Sequence, residues 1–258
     1  MILYPKAKIN IGLQITEKRQ DGFHNLETFF YPADMTDILE IVESNTLSIT
    51  QTGLEYDGKP EDNLCVKAYN LIKERFNIPP VAIHLHKQIP VGAGLGGGSS
   101  DAANTLIIIN KMFNLNIELD ELTRISAKLG SDCPFFVLLS DLKQGEGAYA
   151  TGRGEILERK AIKELDNYVV KVVKPPVFVS TAQAYSGVTP KRPNVLLRDL
   201  LELPVEQWRD RIENDFEKTI FKQFPIIEEY KRNMYENGAV YASMSGSGSS
   251  VFGLFKKG

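Results

Sequence analysis

The sequence predicts an α+β protein organised in two halves, and three observations lead to this prediction. Several early runs alternate apolar and polar residues, as half-buried strands do. A glycine-rich segment then leads into an apolar run of helical length. After about residue 155 the pattern changes to one strand, a helical region and two closing strands, so we place a domain boundary there.

The chain before residue 90 is predicted to be rich in strands. Between Lys8 and Ile15 the apolar residues occupy every second position, which is the period of a strand. A helix is expected to begin after Asp62 or Asn63, because either side chain can cap a helix N-terminus. The predicted strands span residues 8–15, 28–31, 38–42, 47–50 and 81–87.

Two helices and a buried strand are predicted next. The helices span residues 99–113 and 119–129, and Gly130 is placed to end the second one. The apolar run 134–139 is interpreted as a strand, and the four glycines of residues 145–154 indicate a loop or turn system. The second half is predicted to contain strands at 168–173, 239–244 and 249–255 and two or three helices within 195–237.

Composition favours a cytoplasmic globular protein. The net charge of −3 argues against a nucleic-acid surface, and we expect no membrane span and no obligate protein partner. The N-terminus lacks the layout of a signal peptide. Cys65 and Cys133 are too few for a disulfide framework and are expected to be reduced. We expect no metal site built from side chains, because the Cys and His residues lack ligand spacing.

The segment Pro90–Ala103 carries the strongest functional signal. It places five glycines within the seven residues from Gly92 to Gly98, ahead of the predicted helix. Backbone N–H groups exposed by glycine and the positive end of a helix dipole together favour a bound phosphate. A glycine-rich turn without a ligand is the structural alternative.

Three known phosphate-binding patterns fit this segment poorly. Gly92, Gly94 and Gly97 match the dinucleotide pattern G-x-G-x-x-G, yet the preceding run alternates where a continuously apolar strand is required. The Walker pattern fails because no Lys-Ser or Lys-Thr pair closes the loop. The protein-kinase pattern fails because no HRD-type or DFG-type motif follows.

Three separated segments together resemble the motifs of the GHMP small-molecule kinases. They are Ala7–Leu13, the run from Pro90 to Ala103, and Met244–Phe252. The resemblance implies a ribosomal protein S5 domain 2-like N-terminal ATP-binding domain over residues 1–155. It also implies a ferredoxin-like C-terminal GHMP kinase domain over residues 156–258, which we expect to be shortened at its end.

The resemblance implies that ATP, accompanied by Mg²⁺, is the phosphoryl donor. Ser99 or Ser100 would bond a phosphate oxygen or a Mg²⁺-bound water, or else cap the following helix. Asp101 adds a negative charge here, so we expect it to face away from the phosphate or toward a metal. Lys87 lies just before the loop and is a further candidate for approaching the nucleotide. The implied ATP-binding residues are Pro90, Gly92, Gly94, Leu95, Gly96, Gly97, Gly98, Ser99 and Ser100.

Lys8 and Asp132 are the implied catalytic residues. Asp132 would accept the proton of the attacking hydroxyl as the oxygen–phosphorus bond forms. Lys8 would hold Asp132 ionised and stabilise charge near the γ-phosphate. The structural alternatives are a solvated lysine and a turn residue before Pro134.

The combination of Lys8-x-Asn10 with the run Arg19–His24 is similar to family members that act on a cytidylyl polyol. Phe23 and Tyr185 would sandwich the cytosine, and His24 would pair with its edge. Asn10 and Thr181 would contact the diphosphate or the polyol. Gly246 and Gly248 would form a second anion-binding nest. The alternatives are a hairpin core position for Phe23, a turn hydrogen bond for His24, and a tight hairpin turn for the two glycines.

Two other functions remain open from the sequence. One is a GHMP kinase for another small alcohol, similar to mevalonate or homoserine. The other is a catalytically silent relative that binds a nucleotide, although both Lys8 and Asp132 are present.

Overall fold

The structure, a computed structural model, describes residues 1–55 and 58–258. Its strands are β1 (Ile2–Leu3), β2 (Lys6–Lys18), β3 (His24–Thr36), β4 (Ile38–Glu43), β5 (Ser48–Gly53), β6 (Val81–Lys87), β7 (Glu146–Thr151), β8 (Ile156–Ala161), β9 (Tyr168–Val173), β10 (Tyr241–Met244) and β11 (Val251–Lys256). Its α-helices are α1 (Leu64–Lys73), α2 (Gly97–Met112), α3 (Leu119–Ser126), α4 (Cys133–Leu139), α5 (Thr181–Ser186), α6 (Leu197–Leu200), α7 (Glu217–Gln223) and α8 (Pro225–Glu236).

Within the described residues the strands form three sheets, and these sheets confirm most of the predicted strands. The first sheet has the order β1-β4-β6-β5, in which β5 runs parallel to β6 and the other neighbours are antiparallel. The second has the order β2-β3-β7-β8. The third has the order β10-β11-β9 and is antiparallel. The helix predicted to follow Asp62 or Asn63 is α1, which Asn63 caps by accepting a hydrogen bond from the Cys65 N–H at 2.9 Å.

The chain divides into two compact units. The first contains residues 1–7, 34–91 and 96–141, and the second contains residues 8–33, 92–95 and 142–258. The β1-β4-β6-β5 sheet and α1 to α4 lie in the first unit. Segments of the chain alternate between the two units, and the division rests on compactness alone. It therefore does not test the domain boundary near residue 155, which stays a prediction.

Each unit has a buried apolar interior. In the first unit, α2 buries Leu106 and Ile108 completely. In the second unit, Ile15 on β2 belongs to a cluster with Ile220 on α7 and Ile227 on α8, and all three are fully buried. No helix in the described residues is long and apolar enough to cross a bilayer.

The predicted strand at 134–139 is wrong, because this run forms helix α4. A short apolar run has no periodicity that separates a buried strand from a buried helix. Pro134 occupies the first turn of α4, where its missing N–H costs nothing. Packing on several sides favours the helix, since Phe135, Phe136 and Val137 are all buried.

The predicted loop at 145–154 is also wrong in its main part, because residues Glu146–Thr151 form strand β7 between β3 and β8. Glycine in this strand has a packing reason that the sequence does not display. A Cβ on Gly147 would lie 2.6 Å from the Phe29 ring, so only glycine allows the two strands to approach. The turns lie outside this strand, at residues 144–145 and 152–155.

Candidate active site

Lys8 is a buried ammonium on strand β2 of the second unit, with only 4% of its surface exposed. Its Nζ donates to Asn10 Oδ1 at 2.6 Å and to the Gly94 carbonyl oxygen at 3.1 Å. The same Nζ lies 5.0 Å from the centroid of the Phe30 ring, within reach of a cation–π interaction. Burying a charge this deeply costs free energy unless oxygen atoms or π-faces compensate it, and the two oxygen atoms and the Phe30 ring provide this compensation.

Asn10 stands two residues further along the same strand face and is also buried. Its Nδ2 donates to Thr28 Oγ1 at 3.0 Å, and Thr28 Oγ1 in turn donates to the Gly12 carbonyl at 2.6 Å. This chain of bonds fixes which side of the Asn10 amide faces Lys8. Sequence reasoning missed Thr28, whose only signal is a polar side chain at the start of the apolar run 28–31.

The third motif meets the same cluster through Ser245. Its Oγ accepts from the Asn10 N–H at 3.3 Å and donates to the Gly94 carbonyl at 2.9 Å. Gly94 has a φ of +79°, and a Cβ there would overlap the Ser245 carbonyl oxygen. The second unit therefore joins residues from all three motif segments around one lysine.

Gly246 and Gly248 lie in the short connection between β10 and β11. The Gly248 N–H donates to the Ser245 carbonyl at 3.0 Å, as a tight turn requires. Asn214 Nδ2 donates to the Met244 and Gly246 carbonyls, both at 2.8 Å. Sequence reasoning missed Asn214, which lies outside the three motifs, and the role of the two glycines as a nest stays a prediction.

In the first unit, α2 begins at Gly97, directly after Gly96 in a left-handed conformation with φ +69°. The helix thus starts two residues earlier than predicted, so Ser99 and Ser100 lie within its first turn and do not cap it. Ser100 is fully buried, and its Oγ has no hydrogen-bond partner among the described residues. A buried, unpaired hydroxyl at a helix N-terminus is chemically suited to a polar ligand.

Asp101 faces Lys87 in the interior of the first unit, and its orientation toward a bound phosphate stays a prediction. Lys87 Nζ donates to Asp101 Oδ2 at 2.8 Å and also pairs with Asp37. Only 4% of Lys87 is exposed, so its ammonium is engaged inside the first unit.

Asp132 lies half-buried in the same unit, immediately before α4. Its carbonyl accepts from the Phe135 N–H at 3.2 Å. Gly130, two residues before Asp132, packs beside α2, because a Cβ placed on it would lie 3.9 Å from Ser99 Oγ. The turn that carries Asp132 is therefore next to the first turn of α2.

The residues predicted to bind the base lie in the second unit. The rings of His24 and Tyr185 are stacked with their centroids 5.0 Å apart, and Tyr185 meets Phe216 edge-on at 4.9 Å. Phe23 is 54% exposed and lies 4.9 Å from the Arg153 guanidinium. Aromatic faces at this exposure can receive a flat ring.

Burial, and then the positive charge of Lys18, lowers the pKa of His24. A lowered pKa keeps the imidazole neutral at pH 7, with one nitrogen donating and the other accepting.

The segment before His24 is held by a local ion pair. The Arg19 guanidinium holds the pKa of the Asp21 carboxyl below its ordinary value, and Asp21 Oδ1 also accepts from the Phe23 N–H at 3.1 Å. Thr181 is exposed at the first position of α5, and the capping box of Ser180 and Gln183 fixes that helix start.

No group of three or more His, Cys, Asp or Glu residues suited to a metal ion occurs in the described part of the chain. Cys65 and Cys133 are both free and buried.

Comparison with known proteins now decides the family. The model of the GHMP kinases N terminal domain matches residues 63–139, and the model of the GHMP kinases C terminal matches residues 196–258. A 4-diphosphocytidyl-2-C-methyl-D-erythritol kinase of Parabacteroides distasonis is 50% identical over 257 residues, which cover 100% of this chain and 92% of the relative. The chain belongs to the GHMP kinase family.

A further sequence relative and two solved structures extend this comparison. A relative with the same printed name from Bacteroides thetaiotaomicron is 48% identical and is covered over 92% of its length. A crystal structure of 4-(cytidine 5'-diphospho)-2C-methyl-D-erythritol kinase superposes with a TM-score of 0.81 at 33% identity, over 98% of this chain and 90% of that one. The Methanococcus jannaschii mevalonate kinase, at 14% identity and a TM-score of 0.66, shares the fold alone. These findings confirm the predicted two-domain α+β GHMP kinase fold.

Proposed function

We propose that this chain phosphorylates the 2-hydroxyl of 4-diphosphocytidyl-2-C-methyl-D-erythritol with ATP, giving the 2-phosphate and ADP. This is a step of the non-mevalonate route to isoprenoid precursors. Relatives of that printed name match the full chain, which supports the substrate. The observation that carries the proposal is the buried Lys8 ammonium, around which residues of all three GHMP motif segments meet.

We propose that Asp132 accepts the proton of the attacking hydroxyl. An alcohol is too weak an acid to lose its proton to a carboxylate beforehand. The O–H bond therefore breaks as the new O–P bond forms, and the bond between the γ-phosphorus and the bridging oxygen breaks to release ADP. The position of Asp132 before α4, next to the first turn of α2, supports its role as proton acceptor.

Lys8 is proposed to stabilise negative charge during transfer. Its hydrogen bonds to Asn10 Oδ1 and the Gly94 carbonyl set the direction of the ammonium before substrate binds. A charge held in place within a buried site stabilises developing charge without the cost of reorientation. Asn10 is proposed to contact the diphosphate or polyol as well.

ATP is proposed to bind along the glycine loop, with its phosphates on the N–H groups at the start of α2. The unpaired and buried Ser100 hydroxyl, or the neighbouring Ser99, would bond a phosphate oxygen or a Mg²⁺-bound water. Mg²⁺ would neutralise phosphate charge and hold the phosphates in a reactive geometry.

The cytosine is proposed to stack between Phe23 and Tyr185, with His24 at its edge. Because the His24 ring covers one face of Tyr185, the base must take the opposite face, or His24 must turn aside. The neutral imidazole can donate to or accept from the cytosine edge. Thr181, Gly246 and Gly248 are proposed as further contacts to the polyol and phosphates. We also propose that the enzyme works in the cytoplasm without an obligate protein partner.

The test is ADP release from Mg·ATP with the cytidylyl polyol, mevalonate and homoserine as separate acceptors. The proposal expects turnover with the cytidylyl polyol alone. Turnover with mevalonate or homoserine alone would be consistent with the proposed ATP-binding role of the glycine loop, but it would overturn the assigned contacts to the cytosine. ATP binding without turnover on any acceptor would contradict the kinase proposal.

A further inference from the structure

Three buried ionisable side chains form a cluster in the first unit, separate from the proposed catalytic residues. Lys87 closes β6, Asp37 lies between β3 and β4, and Asp101 lies on α2. Their exposed fractions are 4%, 0% and 2%. Lys87 Nζ pairs with Asp37 and donates to Asp101 Oδ2 at 2.8 Å. One ammonium thus pairs with two buried carboxylates. Burying a single ion pair would cost less desolvation free energy.

Asp37 holds the chain that enters the glycine loop. Its Oδ1 accepts from the Gln88 N–H at 2.6 Å and from the Ile89 N–H at 2.8 Å. These two residues immediately precede Pro90, the first residue of the predicted ATP-binding segment. Charge-assisted bonds to two successive N–H groups fix the direction in which the chain leaves β6.

Lys87 and Asp101 hold the chain that leaves the loop. Asp101 is the fifth residue of α2, and its Oδ2 is tied to the ammonium at the end of β6. A Cβ on Gly97 would lie 3.1 Å from Lys87 Nζ and 2.9 Å from Ile89 Cγ2. The absence of a side chain at Gly97 therefore lets the first residue of the helix lie against the same ammonium.

The second carboxylate has no evident structural need. Asp37 alone would neutralise Lys87, whereas ionised Asp101 leaves a surplus negative charge and an Oδ1 without a hydrogen-bond partner among the described residues. Buried ion pairs are often no more stabilising than apolar replacements, so a retained pair is better explained by the geometry that it specifies. The geometry specified here is the connection between the two ends of one loop.

We infer that Asp37, Lys87 and Asp101 are positioning residues that tie the residues before the glycine loop to the helix after it, and so set the affinity for ATP. The inference rests on the proposed ATP-dependent function. We assign the cluster no contact with the reacting atoms. It acts through the placement of the N–H groups at the start of α2.

The test compares Asp101→Ala with Asp101→Asn. Both variants remove the carboxylate charge, and both leave Lys87 paired with Asp37, so neither leaves the lysine unpaired in the interior. Only asparagine keeps an oxygen that can accept the Lys87 bond. Thr105→Val is the matched control, because Thr105 is buried on the same helix and its hydroxyl donates to the Asp101 backbone carbonyl at 2.9 Å and also meets the Cys65 thiol, so this substitution leaves the Asp101 carboxylate in place.

We expect the KM for ATP of Asp101→Ala to exceed that of Asp101→Asn by about tenfold, with kcat changed far less, as lost ground-state positioning predicts. The KM for the acceptor should stay the same in both variants, and Thr105→Val should match the wild type. Equal KM values for ATP in the two Asp101 variants would overturn the inference. If Asp101→Ala melts below the assay temperature, Asp101→Ser gives the same comparison, because its hydroxyl is too short to reach Lys87.

The wild type in the same assay separates this inference from the proposed function. If the wild type turns over and the two variants do not differ, only the positioning role fails. If the wild type is inactive, the proposed function fails, and calorimetric ATP affinities of the same variants still test the cluster.

Discussion

At the scale of residues, the proposed reaction depends on Asp132 and Lys8, which lie in contrasting environments. Lys8 is buried in the second unit against two oxygen atoms and an aromatic face. Asp132 is half-buried at the start of α4 in the first unit. A buried ammonium costs desolvation energy, and such costs concentrate at functional sites.

Asp132→Asn should lower kcat by about a hundredfold to ten-thousandfold, the usual contribution of a proton-transfer group. ATP affinity, measured by calorimetry, should stay close to the wild-type value because the glycine loop is untouched. Asp120→Asn is the control, since Asp120 is a carboxylate in the first turn of α3 in the same unit. Undiminished kcat in Asp132→Asn would remove this residue from the mechanism.

Tyr185→Ala should raise the KM for the cytidylyl acceptor by roughly fivefold to 150-fold, since base–aromatic stacking contributes about 1–3 kcal/mol. The KM for ATP should not change. Tyr4→Ala is a suitable control, because Tyr4 is 64% exposed and lies in the first unit. An unchanged acceptor KM would show that the base stacks elsewhere.

The stability of the protein should depend on pH through Asp101. Burial raises the pKa of Asp101 to about 7, Asp37 adds to the rise, and Lys87 opposes it. The thiol of Cys65 also faces Asp101 from α1, and burial raises its pKa, so it stays neutral.

Because the folded state holds the proton more tightly, stability contributed by Asp101 is present at low pH and is lost as pH rises toward 7. Asp101→Asn keeps the neutral form at every pH. The melting temperature of Asp101→Asn, relative to that of the wild type, should therefore rise between about pH 4 and pH 7. Above about pH 7 the difference between the two melting temperatures should stay constant. A difference independent of pH would contradict the raised pKa.

At the scale of elements, the glycine loop and the third motif constrain each other at Gly94. Its left-handed conformation and the nearby Ser245 carbonyl exclude any side chain. Gly98 differs, since it lies in the helix and a Cβ there would have its nearest neighbour at 3.7 Å.

Gly94→Ala should lower the melting temperature, because the strain exceeds the entropy gained and costs about 1 kcal/mol or more. Gly98→Ala should melt at the wild-type temperature or above, because alanine is about 1 kcal/mol better than glycine within a helix. Equal melting temperatures would mean that the loop relaxes around the new methyl group.

The sequence predicted the elements with a clear period and missed those that packing decides. Strand β6 and helix α2 carry regular apolar patterns, and both were located within two residues. Helix α4 is apolar throughout, so its period gave no choice between helix and strand. Strand β7 contains glycine because β3 lies close to it, a contact between residues far apart in the chain.

The predictability of the site follows the same division. The resemblance selected Lys8, Asn10 and the glycine loop as candidates because each belongs to a short sequence motif, and their roles stay predictions. Thr28 and Asn214 support those motifs from elsewhere in the chain, and a single sequence gives no reason to select them. The pairing of Lys87 with two carboxylates likewise depends on three separate elements.

At the scale of the whole molecule, the match to GHMP kinases along the full chain supports phosphoryl transfer to a small alcohol. The alcohol that we propose is a tertiary hydroxyl. The acceptor's C2 carries both the methyl group and the attacking hydroxyl, so no hydrogen is attached to that carbon. A phosphate placed on this oxygen therefore has no proton three bonds away. Phosphate on a primary or secondary hydroxyl would have one.

The most direct measurement is a proton-coupled ³¹P NMR spectrum of the product formed from Mg·ATP and 4-diphosphocytidyl-2-C-methyl-D-erythritol. We expect a new phosphomonoester signal without three-bond proton splitting, appearing together with ADP. A split phosphomonoester signal, or ADP formed with only inorganic phosphate, would contradict the proposed transfer.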